Sequence, residues 1–235
     1  MNLKNKIVSA TAGLLFGVGS LIAQTANTGE MVVMPGTQFS TVGDFNNTNT
    51  ASFINDGEAF IYANFNNEGV VDFTTTDGYT RFQGSAVQQL SGGSISYFYD
   101  VLFDNVSSST GSFELSSEIS IDNEANFNEG IVKNDDFGGL VIFEDNANHT
   151  GVFDESHVDG VVKKNGDDSF IYPIGDAQLF RHAAISAPDD ITDTFTAKYY
   201  FENPILCAGT KPSNYGLMKV VLLMLQTKRL VHHCN

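Results

Sequence analysis

Tryptophan is absent from this 235-residue chain, proline occurs only five times, and both cysteines, Cys207 and Cys234, lie beyond Pro204. Residues 24–204 therefore hold no disulfide, and their stability has to come from backbone ladders, packing or bound ions. Positive charge is nearly as scarce. Between Gln24 and Pro204 only Arg81, Lys133, Lys163, Lys164, Arg181 and Lys198 oppose 28 acids, a net charge of −22. That balance excludes nucleic acid as a natural partner, because phosphate binding needs a basic surface. No His-Glu-x-x-His, Gly-x-Ser-x-Gly or Cys-x-x-Cys occurs, which removes sequence support for the common zinc, serine-hydrolase and redox sites. Helical periodicity is nearly absent before Pro204.

The N-terminus carries Lys4 and Lys6 and then an uncharged run from Ile7 to Ala23. Basic start, apolar middle and a small residue before Gln24 follow the order of a cleaved secretory signal. The run is diluted by Gly13, Gly17 and Gly19 and is short for a membrane span, which needs roughly 20 apolar residues. Residues 1–23 are therefore expected to be removed on export, leaving no membrane span and placing the protein outside the cell or on its outer surface.

What fills the rest is period-2 alternation. Phe113, Leu115, Ser117, Ile119 and Ile121 fall on one face, and Ser112, Glu114, Ser116, Glu118, Ser120 and Asp122 on the other, as in a half-buried strand. Tyr97, Tyr99, Val101 and Phe103 alternate with Phe98, Asp100, Leu102 and Asp104, and Phe195, Ala197 and Tyr199 alternate with Thr194, Thr196 and Lys198. Asn55-Asp56-Gly57, Glu68-Gly69, Asp77-Gly78 and Glu129-Gly130 supply turns. Phe53-Ile54-Asn55-Asp56-Gly57, Phe65-Asn66-Asn67-Glu68-Gly69 and Phe127-Asn128-Glu129-Gly130 share an aromatic, Asn, an acid and Gly, the first two copies 12 residues apart. A recurring Phe that stacks and Asn-Gly corners suit a short right-handed β-solenoid of the parallel β-helix kind. Hairpins in a β-sandwich use the same residues and remain the alternative fold.

Candidate chemistry is thin. His149, His157 and His182 are isolated and expected at surface or strand positions. Acid pairs are numerous, and calcium takes six to eight oxygens that acidic loops can supply. Asp167 and Asp168, beside Gly166, are the better candidates for a calcium site, although no EF-hand spacing is present. Tyr97, Tyr99, Tyr199 and Tyr200 offer rings that could stack on sugars; cross-strand pairing uses the same residues. No catalytic residue emerges, and the expectation is a protein that is not an enzyme.

A longer block runs His157-Val158-Asp159-Gly160-Val161-Val162-Lys163-Lys164, Gly166, then Phe170-Ile171-Tyr172-Pro173-Ile174-Gly175-Asp176. It continues through Arg181, Ala184-Ile185-Ser186-Ala187-Pro188 and Thr194-Phe195-Thr196-Ala197-Lys198-Tyr199-Tyr200. With the upstream Phe82-Gln83-Gly84-Ser85 and Tyr97-Phe98-Tyr99-Asp100 elements, it resembles secreted cell-surface proteins of Bacteroidetes exported by the type IX pathway, of the gliding-motility-associated type. The resemblance implies an extracellular structural or adhesive protein, with surface glycans or other cell-envelope proteins as partners and no established catalytic residues.

The expected organisation is a signal over 1–23, an N-terminal segment over 24–43, solenoid-like repeats over 44–156 and a small β module over 157–204. Residues 205–235 carry no acid and four of the 12 basic residues. Written with suitable synonymous codons, the frame two nucleotides later is an open, polar, Ser/Thr-rich text from Ala208 onward. The tail therefore reads as a frameshifted or truncated end, with Cys207 and Cys234 accidental. A non-catalytic fragment of a polysaccharide-binding or polysaccharide-degrading enzyme is the alternative reading of the whole.

Overall fold

Short alternating segments punctuated by Asn, Gly and Asp favour corners over long flat strands. The computed structural model describes residues 24–200, which are all-β, with no helix. Parallel strands stack into a β-solenoid of about seven turns. Its first face stacks Thr25–Asn27, Phe45–Asn47, Phe65–Asn67, Gln88–Ser91, Phe113–Leu115, Val132–Lys133, Val158–Asp159 and Ile174–Asp176. A second face stacks Glu30–Val33, Ser52–Asn55, Val70–Asp72, the first parts of Ser96–Asp104 and Glu118–Glu129, then Leu140–Phe143 and Val161–Asn165. The third takes Gln38–Thr41, Glu58–Ile61, Tyr79–Phe82, the later parts of the same two long strands, and Asn148–Thr150. Residues 1–23 and 201–235, with the apolar N-terminal run and both cysteines, lie outside the described residues.

Regular coils reach beyond both ends of the expected 44–156 span. Thr25 pairs with Phe45, and Val162 pairs with Val141. The repeat length also differs from the spacing of the sequence motif. Asn27, Asn47 and Asn67 recur at 20 residues, and Asn66 meets Ser91 after 25. The 12-residue interval between Phe53 and Phe65 relates two faces, because Phe53 lies on the second and Phe65 on the first. The shared motif is a corner device that serves all three corners. In two copies the Asn side chain accepts its own turn's Gly N–H, Asn55 from Gly57 and Asn67 from Gly69. Glycine is required there: a Cβ on Gly57 would sit 2.5 Å from the carbonyl oxygens of Met34 and Thr37 in the coil below.

Inside the tube two ladders run along the axis. Asn27 Nδ2 donates to Asn47 Oδ1 and Asn47 Nδ2 to Asn67 Oδ1, each at 2.9 Å. Their second amide hydrogens reach Ser52 O and Val70 O, so buried amides are satisfied between coils. Aromatic rings form the other ladder: Phe45 stacks on Phe65 at 5.5 Å, Phe82 on Phe103 at 5.9 Å and Phe103 on Phe127 at 5.3 Å. Such pairs add about 0.5–1.5 kcal/mol each beyond the area they bury.

Two segments read as single strands turn a corner. Phe113–Leu115 belongs to the first face and Glu118 onward to the second, while inward parity survives the turn at Ser116-Ser117. In Ser96–Asp104 a register shift between Phe98 and Asp100 reverses parity, so Phe98, Val101 and Phe103 point inward and Tyr97 outward.

The expected module at 157–204 divides into a last coil and a cap. Three reversed strands close this end: Leu179–Phe180 pairs antiparallel with Ile174–Asp176, Ala183–Ile185 with Phe170–Tyr172, and Thr194–Lys198 with Val161–Asn165. At the start of the cap Lys164 takes the inward position held one coil earlier by Phe143. Its ammonium is fully buried and donates to Glu144 O at 2.7 Å, Asn165 O at 2.9 Å and Asp168 Oδ1 at 2.6 Å.

Candidate functional site

Parallel stacking with alternating parity puts every second residue of the third face outside, one above another about 4.8 Å apart. One outward row reads Gln38, Glu58, Tyr79, Asp100, Glu124 and Asn148. Beside it run Ser40, Phe60, Arg81, Leu102, Asn126 and Thr150 in the same register. The centre is a cluster in which the Arg81 guanidinium lies 3.9 Å from the Tyr79 ring centroid, 5.4 Å from that of Phe60 and 3.6 Å from Glu58 Oε1. Arg81 Nε is buried there with no hydrogen-bond partner. Tyr62, just past the end of Glu58–Ile61, is 42% exposed. Burial raises the Tyr79 hydroxyl pKa above its ordinary value, and the Arg81 charge opposes that rise.

Carboxylates on this face are held by neighbouring amides and hydroxyls. Asn123 Nδ2 donates to Asp100 at 2.6 Å, Gln83 and Asn128 donate to Asp104 at 2.9 and 2.8 Å, and Thr150 donates to Glu124 at 3.2 Å. Hydrogen bonding between coils fixes these groups as an ordered array of donors and acceptors. The arrangement presents an ordered set of donors and acceptors on the outside of the coils.

The sequence candidates are placed elsewhere. Asp168 faces the Lys164 ammonium and accepts the Asn146 N–H at 3.1 Å, while the Asp167 N–H donates to Asp145. A calcium ion at Asp168 would have to displace that ammonium. Among the described residues no group of three or more His, Cys, Asp or Glu side chains is placed to hold a metal. His149 lies on the strand Asn148–Thr150, as expected of a strand position, while His157 stands just before Val158–Asp159. His149 points inward among Phe127, Phe143 and Phe170, and His157 is fully buried beneath the cap; burial lowers the pKa of both. Of the four tyrosines, Tyr97 is 43% exposed and Tyr199 only 2%. Tyr99 packs edge-on against Phe73, and Tyr200 lies against the Lys198 ammonium. Phe60, Tyr79 and Arg81 carry no shared signal in the sequence, because their proximity depends on pairing between coils.

One acid has a clear environment on the first face. Asp159 is buried, and burial followed by the Asp176 charge pushes its pKa up to about 6 against an ordinary 3.8. Asp135 and Asp136 add to the rise, and Lys133 opposes it. Because the folded chain holds this proton more tightly than the unfolded one, the group's contribution is fully favourable below about pH 3.8 and is lost as pH rises through 6. Asp159→Asn should therefore gain on the parent protein as pH rises from 4 to 7, by roughly 2–3 kcal/mol over that range. Urea unfolding of both proteins across that range measures the difference, in which the buried histidines cancel; a pH-independent difference would contradict the assignment.

No protein-family model, curated protein or solved structure matches the chain.

Proposed function

We propose that this is an exported, non-enzymatic cell-surface protein with a structural or adhesive role, of the Bacteroidetes type IX secretion kind. The observation that carries the reading is the solenoid itself. Its interior carries stacked phenylalanines and asparagines among aliphatic side chains, and its outer faces present ordered rows of side chains over several coils. Such a body is an extended scaffold for contacts at the cell surface. The uncharged N-terminal run before Gln24 and the lack of cysteine over residues 24–204 agree with export of a fold that needs no disulfide. Surface glycans or cell-envelope proteins are its proposed partners.

The second reading, a non-catalytic part of a polysaccharide-acting enzyme, keeps the same binding surface and adds chemistry elsewhere. A reducing-sugar release assay, run beside a glycan-binding screen on the full-length product, separates the two. Binding without release supports the adhesive reading, and release of sugar overturns it.

A further inference from the structure

We infer that the outer third face binds a neutral polysaccharide, with Tyr62, Tyr79 and Phe60 as the stacking platform and Arg81 as the central hydrogen-bond donor. This rests on the proposal of a surface-contact protein and adds the site and the ligand class. Three observations select the ligand.

Charge is the first. Glu58, Asp100, Asp104 and Glu124 surround the patch and repel anionic polymers, acidic membranes and nucleic acid. Arg81 sits at its centre, over the Tyr79 ring, and disfavours a cation at the same place. A ligand spanning both zones is best uncharged.

The chemistry of the array is the second. The exposed Tyr62 ring and the half-buried rings of Phe60 and Tyr79 offer the apolar C–H side of a sugar ring a surface, while amide, carboxylate and guanidinium groups meet hydroxyls that both donate and accept. The Arg81 side chain is 23% exposed, and its guanidinium stands beside Glu58 within the patch, where its outer N–H groups can meet a hydroxyl. Asp100, Asp104 and Glu124 are oriented by Asn123, Gln83, Asn128 and Thr150, so their remaining lone pairs have fixed directions.

Repetition is the third. Glu58, Tyr79, Asp100 and Glu124 succeed one another coil by coil at about 4.8 Å. A polymer lying along the solenoid axis meets a polar side chain at each rung, a carboxylate at three of the four and the Tyr79 hydroxyl at the other, which a compact ligand does not.

The test is affinity electrophoresis of the full-length product through gels containing hydroxyethyl-cellulose, galactomannan or soluble starch, with alginate and polylysine gels as charged comparisons. Retardation by at least one neutral polymer is expected. Tyr62→Ala and Tyr79→Ala should each weaken that binding by about fivefold, the effect of losing one stacked ring. Tyr97→Ala, on the second face, should leave it unchanged, and melting curves establish that the variants are folded. Retardation by none of the neutral polymers, or only by a charged one, overturns the inference. Neutral-polymer binding that survives Tyr62→Ala and Tyr79→Ala together overturns the site and leaves the adhesive reading standing. Failure of that reading shows separately, as absence from the cell surface.

Discussion

Asp168→Asn is expected to lower the unfolding free energy by about 3–5 kcal/mol at pH 7, the range found when one member of a buried ion pair is removed. Lys164 stands in the interior, one coil beyond Phe143 in the same inward column, and its Nζ has no exposure. Desolvating an ammonium is tolerated here because Asp168 supplies a counter-charge at 2.6 Å and the carbonyls of Glu144 and Asn165 complete its hydrogen bonds. Asparagine keeps the shape of Asp168 and removes its charge, leaving the ammonium uncompensated. Lys164→Met should cost clearly less, because it removes the buried charge itself and Asp168, 27% exposed, can turn to water. Urea unfolding of both variants gives the order, and amide exchange over residues 158–198 shows whether the loss is concentrated in the cap. Equal costs for the two variants would mean that Lys164 contributes packing and not charge pairing.

Asn47→Ala is the second large loss, roughly 2–4 kcal/mol. Asn47 is fully buried, receives a hydrogen bond from Asn27 and gives one each to Asn67 and Val70 O. Alanine leaves the Val70 carbonyl without that donor and opens space between coils. Asn66, its counterpart on the outside of the next coil, donates to Asn46 across a partly exposed ladder and should cost under about 1 kcal/mol as alanine. Denaturant unfolding of the two variants tests whether the inner asparagine ladder, and not amide composition in general, supports the stack. Equal losses would show that it does not.

Fold class was legible in the sequence because the two signals behind it are local: period-2 alternation and Asn-Gly corners. Coil length was not. The motif shared by Phe53–Gly57 and Phe65–Gly69 recurs within one coil as well as between coils, so its 12-residue interval concealed the 20-residue rise linking Asn47 to Asn67. Parity failed at Tyr99 for a related reason, since the register shift between Phe98 and Asp100 has no marker in the residue types on either side. Lys164 follows Lys163 with nothing in the residue types to tell them apart, yet alternation turns it inward, where Asp168 and the carbonyls of Glu144 and Asn165 make it tolerable. The cluster on the third face was not legible because Phe60 comes from one coil and Tyr79 and Arg81 from the next, and they meet only through register. Tyr199, by contrast, directly follows the alternating strand Thr194–Lys198, and its burial continues the inward parity of Phe195 and Ala197.

The surface-protein account is tested most directly by labelling intact cells that make the protein with a membrane-impermeant amine reagent, then sequencing the N-terminus of the labelled chain. It predicts labelling before lysis at an extent close to that after lysis, and a first residue of Gln24. Labelling that appears only after lysis, on a chain that retains residues 1–23, would contradict it.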